Sequence, residues 1–263
     1  MQPSIGPISA TTFGWLLAAV LTGGAIVWST RAEGLTAARI ALLLLGCTLA
    51  LLVGAKALYI LESVAQWSSR ADFSQQVRLP GGVIAVLLLS PWFPRSARAS
   101  RWQMADSIAP ALGLLVLGTR IGCFLQGCCY GNVSTLPWAL PFPRGSEVHD
   151  WQVQNGIVNA SAMQSIPVQP LQLYFAIAGA LLFLVLVEYQ ERKRYDGEVA
   201  LLFAVSYLWS TWLLELLRAQ PHSVTQRFTL VASLVASGIL AYVEARRLSA
   251  DGGAASSRTA ENA

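Results

Sequence analysis

The stretch Ile108 to Leu125 reads IAPALGLLVLGTRIGCFL, eighteen residues in which Arg120 is the single charge. A run of that length and polarity predicts a helix that crosses a membrane, since a crossing takes about 20 apolar residues at 1.5 Å each. Working outward, six more apolar runs separated by short polar breaks flank it: Phe13 to Trp28, Ile40 to Leu61, Gly81 to Trp92, Leu171 to Val187, Val199 to Leu217 and Phe228 to Val243. The Gly81 to Trp92 run is the shortest, and its length also suits a re-entrant or broken helix.

Composition agrees with these runs. Of 263 residues, 54% are hydrophobic and 12% charged, where soluble domains carry about 25% charge. The expected fold is therefore an all-α polytopic membrane protein of about seven transmembrane helices with a larger outer-face loop segment. It is read as one membrane domain over 1–248, followed by an Ala, Gly and Ser-rich tail over 249–263 expected to be disordered and cytoplasmic. The first run has no preceding Lys or Arg, so it reads as a retained span rather than a cleaved signal. No internal repeat at a fixed period is evident. Net charge is +4, from 18 Lys and Arg against 14 Asp and Glu, with no basic run of the kind that grips nucleic acid.

Basic residues in alternate connections set the orientation. Leaving aside Lys56 and Arg120, which sit in apolar surroundings, eleven fall in one set, among them Arg95, Arg98 and Arg258. Five fall in the other: Arg70, Arg78, Arg144, Arg218 and Arg227. The bias predicts the amino terminus outside and the carboxyl terminus in the cytoplasm. Residues 126–168 then form an outer-face segment, rich in Pro and bearing Trp138 and Trp151.

Arg120 is the most informative residue. A guanidinium in an apolar run is costly unless it is paired or wetted, and its planar fork matches phosphate oxygens, so it reads either as an anion site or as a snorkelling helix-end residue. Four glycines between Gly118 and Gly131 permit close backbone approach. Cys123, Cys128 and Cys129 match no defended zinc spacing and have no neighbouring His, so no metal is expected. Cys47 reads as a small core hydrophobe. Glu215 and Arg218 share a helix face, with Tyr207 close to it. Such an intramembrane carboxylate reads equally as a functional group partnered by Arg120 or Arg218 and as an interhelical ion pair. Lys56 reads as a headgroup contact or a snorkelling residue. His149 and His222 lie in predicted outer-face loops and carry no assigned role.

Taken together, Asp106-Ser107-Ile108-Ala109-Pro110, the continuation through Arg120-Ile121-Gly122 to Gly131, and Leu136-Pro137-Trp138-Ala139 resemble the signature region of the prolipoprotein diacylglyceryl transferase family. Gly54-Ala55-Lys56, Pro80-Gly81-Gly82, Pro170-Leu171-Gln172-Leu173-Tyr174, and Tyr207 with Glu215 and Arg218 match further segments in the family's order. The resemblance implies a seven-helix enzyme of the bacterial inner membrane that moves diacylglyceryl from phosphatidylglycerol to the lipobox cysteine thiol of a prolipoprotein. It requires no cofactor. It also implies catalytic roles for Arg120, Glu215 and Tyr207 and substrate-binding roles for Arg120, Gly131, Lys56 and Arg218. Departures from the family pattern are Pro80 for a histidine, Thr211 and Lys56 for arginines, Phe13 for a tyrosine, Cys123 for an asparagine and Cys128 for a glutamate. Two alternatives accompany this reading: a non-catalytic lipid- or lipoprotein-binding membrane protein on the same scaffold, and a thiol-dependent transferase using Cys128 or Cys129.

Overall fold

A computed structural model describes residues 4–5, 8–32, 34–65, 77–93, 100–219 and 223–261. Arg70, Arg95, Arg98 and His222, which entered the sequence reading, lie outside the described residues, as does the side chain of Arg258.

Each apolar run becomes a helix. In chain order they are α1 (Ala10–Ala32), α2 (Ala37–Ala65), α3 (Leu79–Leu89, continued by a 3-10 turn at Ser90–Trp92), α4 (Arg101–Gln126), α6 (Leu171–Gln190), α7 (Glu198–Glu215) and α8 (Ser223–Glu261), with a short α5 (Glu147–Gln154) between α4 and α6. A two-residue antiparallel pairing of Ser4–Ile5 with Ile8–Ser9 precedes α1. Among the described residues, five helices are long and apolar enough to cross a membrane: Ala10–Ala32, Ala37–Val64, Arg101–Gln126, Leu171–Gln190 and Val224–Ser249. The short α3 stretch, Leu79–Trp92, rises about 21 Å against a hydrocarbon core of about 30 Å. α7 carries a carboxylate at each end, Glu198 and Glu215. The last apolar span stops at Ser249, where the composition changes, although the α8 backbone continues helical to Glu261.

α4 is the centre of the bundle, packed against α1, α6 and α7. α1 buries one stripe at every fourth position, Ala10, Gly14, Ala18, Thr22, Ile26 and Thr30. That stripe meets Gly118 and Gly122 of α4 so closely that a Cβ on Gly122 would stand 2.6 Å from the Gly14 Cα. Small residues four apart on both helices make this approach possible, as in other membrane helix pairs. The outward faces are apolar, with Leu45, Leu49, Leu52 and Val53 exposed on α2 and Ile177, Leu181, Leu184 and Val185 on α6. Asp106, Gln172, Glu198 and Glu215 are buried. An apolar exterior around buried polar groups is the distribution that lipid, not water, stabilises.

Pro110 lies inside α4 and has no N–H to give to the Asp106 carbonyl. Gln190 Nε2 at the end of α6 donates to that carbonyl at 2.8 Å instead. The Asp106 carboxylate accepts from the backbone N–H groups of Gly197 (2.9 Å) and Ala200 (3.0 Å) and from Lys193 Nζ (2.9 Å). It therefore caps the amino-terminal end of α7 from across the bundle, where a negative charge offsets the helix dipole.

The connection after α4 is folded. Bridges pair Val133 and Leu140 with Val168 and Pro143 with Gln164, over a small apolar cluster of Tyr130, Phe142, Val148 and Val168. His149, expected in a solvated loop, is instead buried, with its ring Nε2 3.0 Å from the Ala162 carbonyl oxygen and its Nδ1 3.3 Å from Asp150. The reason is that the segment forms a helix, α5, started by the Ser146 cap, whose inward face buries Val148, His149 and Gln152 against the rest of the folded connection.

Candidate active site

α4 ends at Gly127, whose φ of +70° is the left-handed value that glycine adopts without strain. The Gly127 N–H donates to Phe124 O and the Cys128 N–H to Cys123 O, both at 3.1 Å. This pair of bonds is the Schellman helix stop, which brings the side chains of its outer positions together. Here those positions are Cys123 and Cys128. Cys129 follows with φ +57°, the one positive-φ residue other than glycine among the described residues. That turn swings the third thiol back, so that the sulfurs of Cys123, Cys128 and Cys129 all lie within 4.8 Å of one another.

The next three residues are clamped between two other segments. Gly131 N–H donates to Gln169 O (3.0 Å), Asn132 N–H to Leu217 O (2.9 Å), and Ala219 N–H to Tyr130 O (3.3 Å). A Cβ on Gly131 would lie 2.9 Å from the Gln169 Cβ and 3.0 Å from Leu217 O, so only glycine fits. The clamp fixes Arg218, just past α7, beside the thiols, while Gln172 Nε2 donates to Cys128 O at 2.6 Å from α6.

These segments enclose a cavity of about 420 Å³, whose wall includes Arg78, Arg120, Cys128, Cys129, Glu215 and Arg218. Arg120 is 7% exposed and stacks over the Phe175 ring at 4.2 Å. Its Nε has no hydrogen-bond partner among the described residues. Neither does any carboxylate among them approach its guanidinium within ion-pair distance. The other two cations are matched: Arg218 Nε stands 2.8 Å from Glu215 Oε2, and Arg78 pairs with Glu62. The Arg218 contact is close in distance but off the hydrogen-bonding angle, so it acts chiefly through charge. A buried cation without a counter-charge is expensive unless an anion completes it.

At the cavity mouth, Glu147 begins α5. Loss of hydration, with the neighbouring Cys129 adding to it, raises its carboxyl above the usual value against the pull of Arg218. The Cys129 thiol is held well below its ordinary value, by hydrogen bonds with the Cys123 and Cys128 thiols and then by the Arg218 and Arg120 charges.

A sequence profile described as prolipoprotein diacylglyceryl transferase matches residues 2–243. The chain belongs to this family. Among curated relatives, one from Paracidovorax citrulli, named phosphatidylglycerol–prolipoprotein diacylglyceryl transferase, is 30% identical over 64% of this chain. A Glaesserella parasuis protein of the same name is 36% identical over 48% of the chain, and one from Solidesulfovibrio magneticus is 28% identical over 82%. The matched stretch spans 59% and 41% of the first two relatives, about half their length, and 79% of the third.

Set against this prolipoprotein diacylglyceryl transferase scaffold, the residues singled out in the sequence divide. Arg120, Glu215, Arg218, Cys128 and Cys129 meet at the cavity wall. Tyr207 is buried within α7, stacked on Phe203 at 5.6 Å and within range of the Arg120 charge. Gly131 acts through the backbone clamp, and Lys56 sits over the Tyr59 ring at 5.2 Å. Those three are not on the wall. Two wall residues, Arg78 and Glu147, and the supporting Gln172 were given no role from sequence. Arg78 lies two residues before the Pro80-Gly81-Gly82 match and could have been found there; nothing in a loop sequence marks Glu147.

Proposed function

We propose that this protein transfers diacylglyceryl from phosphatidylglycerol to the thiol of a lipobox cysteine in a prolipoprotein. The observation that carries this reading is Arg120, a buried guanidinium with an unsatisfied Nε on the cavity wall. Phosphate oxygens supply the counter-charge that it lacks. In the reaction, the acceptor sulfur forms a C–S bond to the glyceryl carbon while the C–O bond to phosphate breaks, and glycerol phosphate leaves with the electron pair. Negative charge grows on that phosphate, where Arg120 stabilises it. The thiol proton goes to the Glu147 carboxylate at the cavity mouth. Glu215 holds Arg218 in place, and Arg78 and Arg218 provide the further cations on the wall, while Thr211, at the position of the family's arginine, is buried within α7 and off that wall.

In this reading the chain is a single bacterial inner-membrane domain over 1–248 with seven crossings. The amino terminus lies outside, the 126–168 segment forms the outer-face mouth, and the 249–263 tail is cytoplasmic. The test is to incubate purified protein in phosphatidylglycerol vesicles with a lipobox peptide and to follow the peptide by mass spectrometry. A diacylglyceryl adduct on its cysteine is expected. Phosphatidylglycerol binding without an adduct, in a preparation where an active family enzyme gives one, would replace the transferase by a lipid-binding protein on the same scaffold.

A further inference from the structure

We propose that Cys123, Cys128 and Cys129 form a binding site for one thiophilic d10 cation of the Zn2+ class, with a fourth coordination position open to the cavity. The three sulfurs come from a helix end and the two residues after its stop, and all lie within 4.8 Å of one another. Zinc–thiolate bonds of about 2.3 Å at a tetrahedral angle put sulfurs about 3.8 Å apart, so the site closes on an ion by rotations of about 1 Å or less. Linear spacing argues against a metal here, because the chain has no CxxC pair. The left-handed turns at Gly127 and Cys129 supply the convergence that spacing does not.

Three features favour an ion over three packed thiols. The surroundings are polar rather than an apolar core, with Arg120, Glu147, Glu215 and Arg218 lining the same wall as the three thiols. The backbone is also braced: the Cys128 carbonyl accepts from Gln172, and the Cys128 N–H is tied to Cys123. Finally, all three cysteines lie on the cavity wall. Three protein ligands and one open position is the arrangement of reactive zinc sites. Binding releases up to three protons to solvent and needs no oxidant.

The open position gives the site a use that rests on the transfer reading. An acceptor cysteine bound there would pass its proton to Glu147, as in that reading, and the ion would hold the resulting thiolate in place.

Metal content and Co2+ binding are measured on the purified full chain, reduced and then cleared of reductant and chelator. One equivalent per chain is expected, with thiolate-to-Co2+ charge transfer and, for Zn2+, three sulfurs in the X-ray absorption spectrum. Cys123→Ser and Cys128→Ser should each weaken binding at least about 100-fold, more than loss of a supporting hydrogen bond does; using both singles guards against one failing to fold. Equal binding by wild type and variants overturns the site. So does a protein isolated without reductant whose mass is lower by two hydrogens and whose metal content is nil, since the thiols are then a disulfide pair. Adding lipobox peptide should shift the Co2+ charge-transfer band. A chain that transfers diacylglyceryl but holds no metal refutes the site and leaves the transferase standing; a metal-loaded chain whose band ignores the peptide refutes only the acceptor's place on the ion.

Discussion

Arg120 is cheap to name and hard to interpret from sequence, because a lone arginine in an apolar run can end in water, on a carboxylate or on a ligand. The described residues remove the first two outcomes, since it is 7% exposed and has no carboxylate partner among them. Arg120→Ala should therefore lower transfer by about 10²–10³, the scale of one lost donor to a developing anion, while the protein still inserts. Unchanged turnover in vesicles would remove its assigned role. Glu147 makes a second residue-scale prediction, on pH. Its carboxyl is raised by lost hydration, so the folded protein holds that proton more tightly than the unfolded chain. The ionised form that accepts a thiol proton then appears at a higher pH than in an unperturbed glutamate, and its ionisation costs folding stability as pH rises through that point. The transfer rate should fall on the acid side at a higher pH than an unperturbed glutamate would give, and Glu147→Gln should lower the rate and flatten that limb. A limb that persists in the variant assigns it to another group.

At the scale of elements, α4 carries the most. Its apolar run was legible as a crossing helix, whereas the close packing of Gly118 and Gly122 against α1 was not. The sequence match through Asp106 and Pro110 was legible too, but not its physical content. Pro110 frees a carbonyl that Gln190 fills, and Asp106 caps α7. Both are contacts between segments more than eighty residues apart, which no local pattern encodes. Asp106→Asn keeps the shape and removes the charge, and should cost about 1–3 kcal/mol through weaker bonds to the α7 N–H groups and to Lys193. Differential scanning fluorimetry in detergent should show a lower melting temperature. Transfer per folded molecule should be retained, because fourteen residues of helix put Asp106 about 21 Å from Arg120 along the axis. Lost transfer at unchanged stability would tie Asp106 to the chemistry instead.

For the whole molecule, topology turns on one short element. If Leu79–Trp92 crosses, reporters inserted within 66–76 and within 94–99 report opposite sides of the membrane, and one at Ser161 reports the outer side. The expected pattern is outside, cytoplasmic, outside. Matching signals on both sides of α3 would leave it re-entrant and invert the orientation of everything on one side of it. Exposed apolar faces on α2 and α6 around buried Asp106, Glu198 and Glu215 already say that lipid surrounds the bundle, but hydropathy alone does not give direction.

By itself the sequence determined that this is a helical membrane chain, where its apolar helices lie, and which family its motifs resemble, because hydrophobic length and short motifs are local and additive. Only the tertiary structure decided that Arg120 has no carboxylate partner among the described residues, that Arg78 and Glu147 share its cavity, and that three thiols without zinc spacing converge. Those facts depend on close helix approach, on two left-handed turns and on a backbone clamp joining residues nearly ninety apart, and such placements arise only when the chain packs against itself.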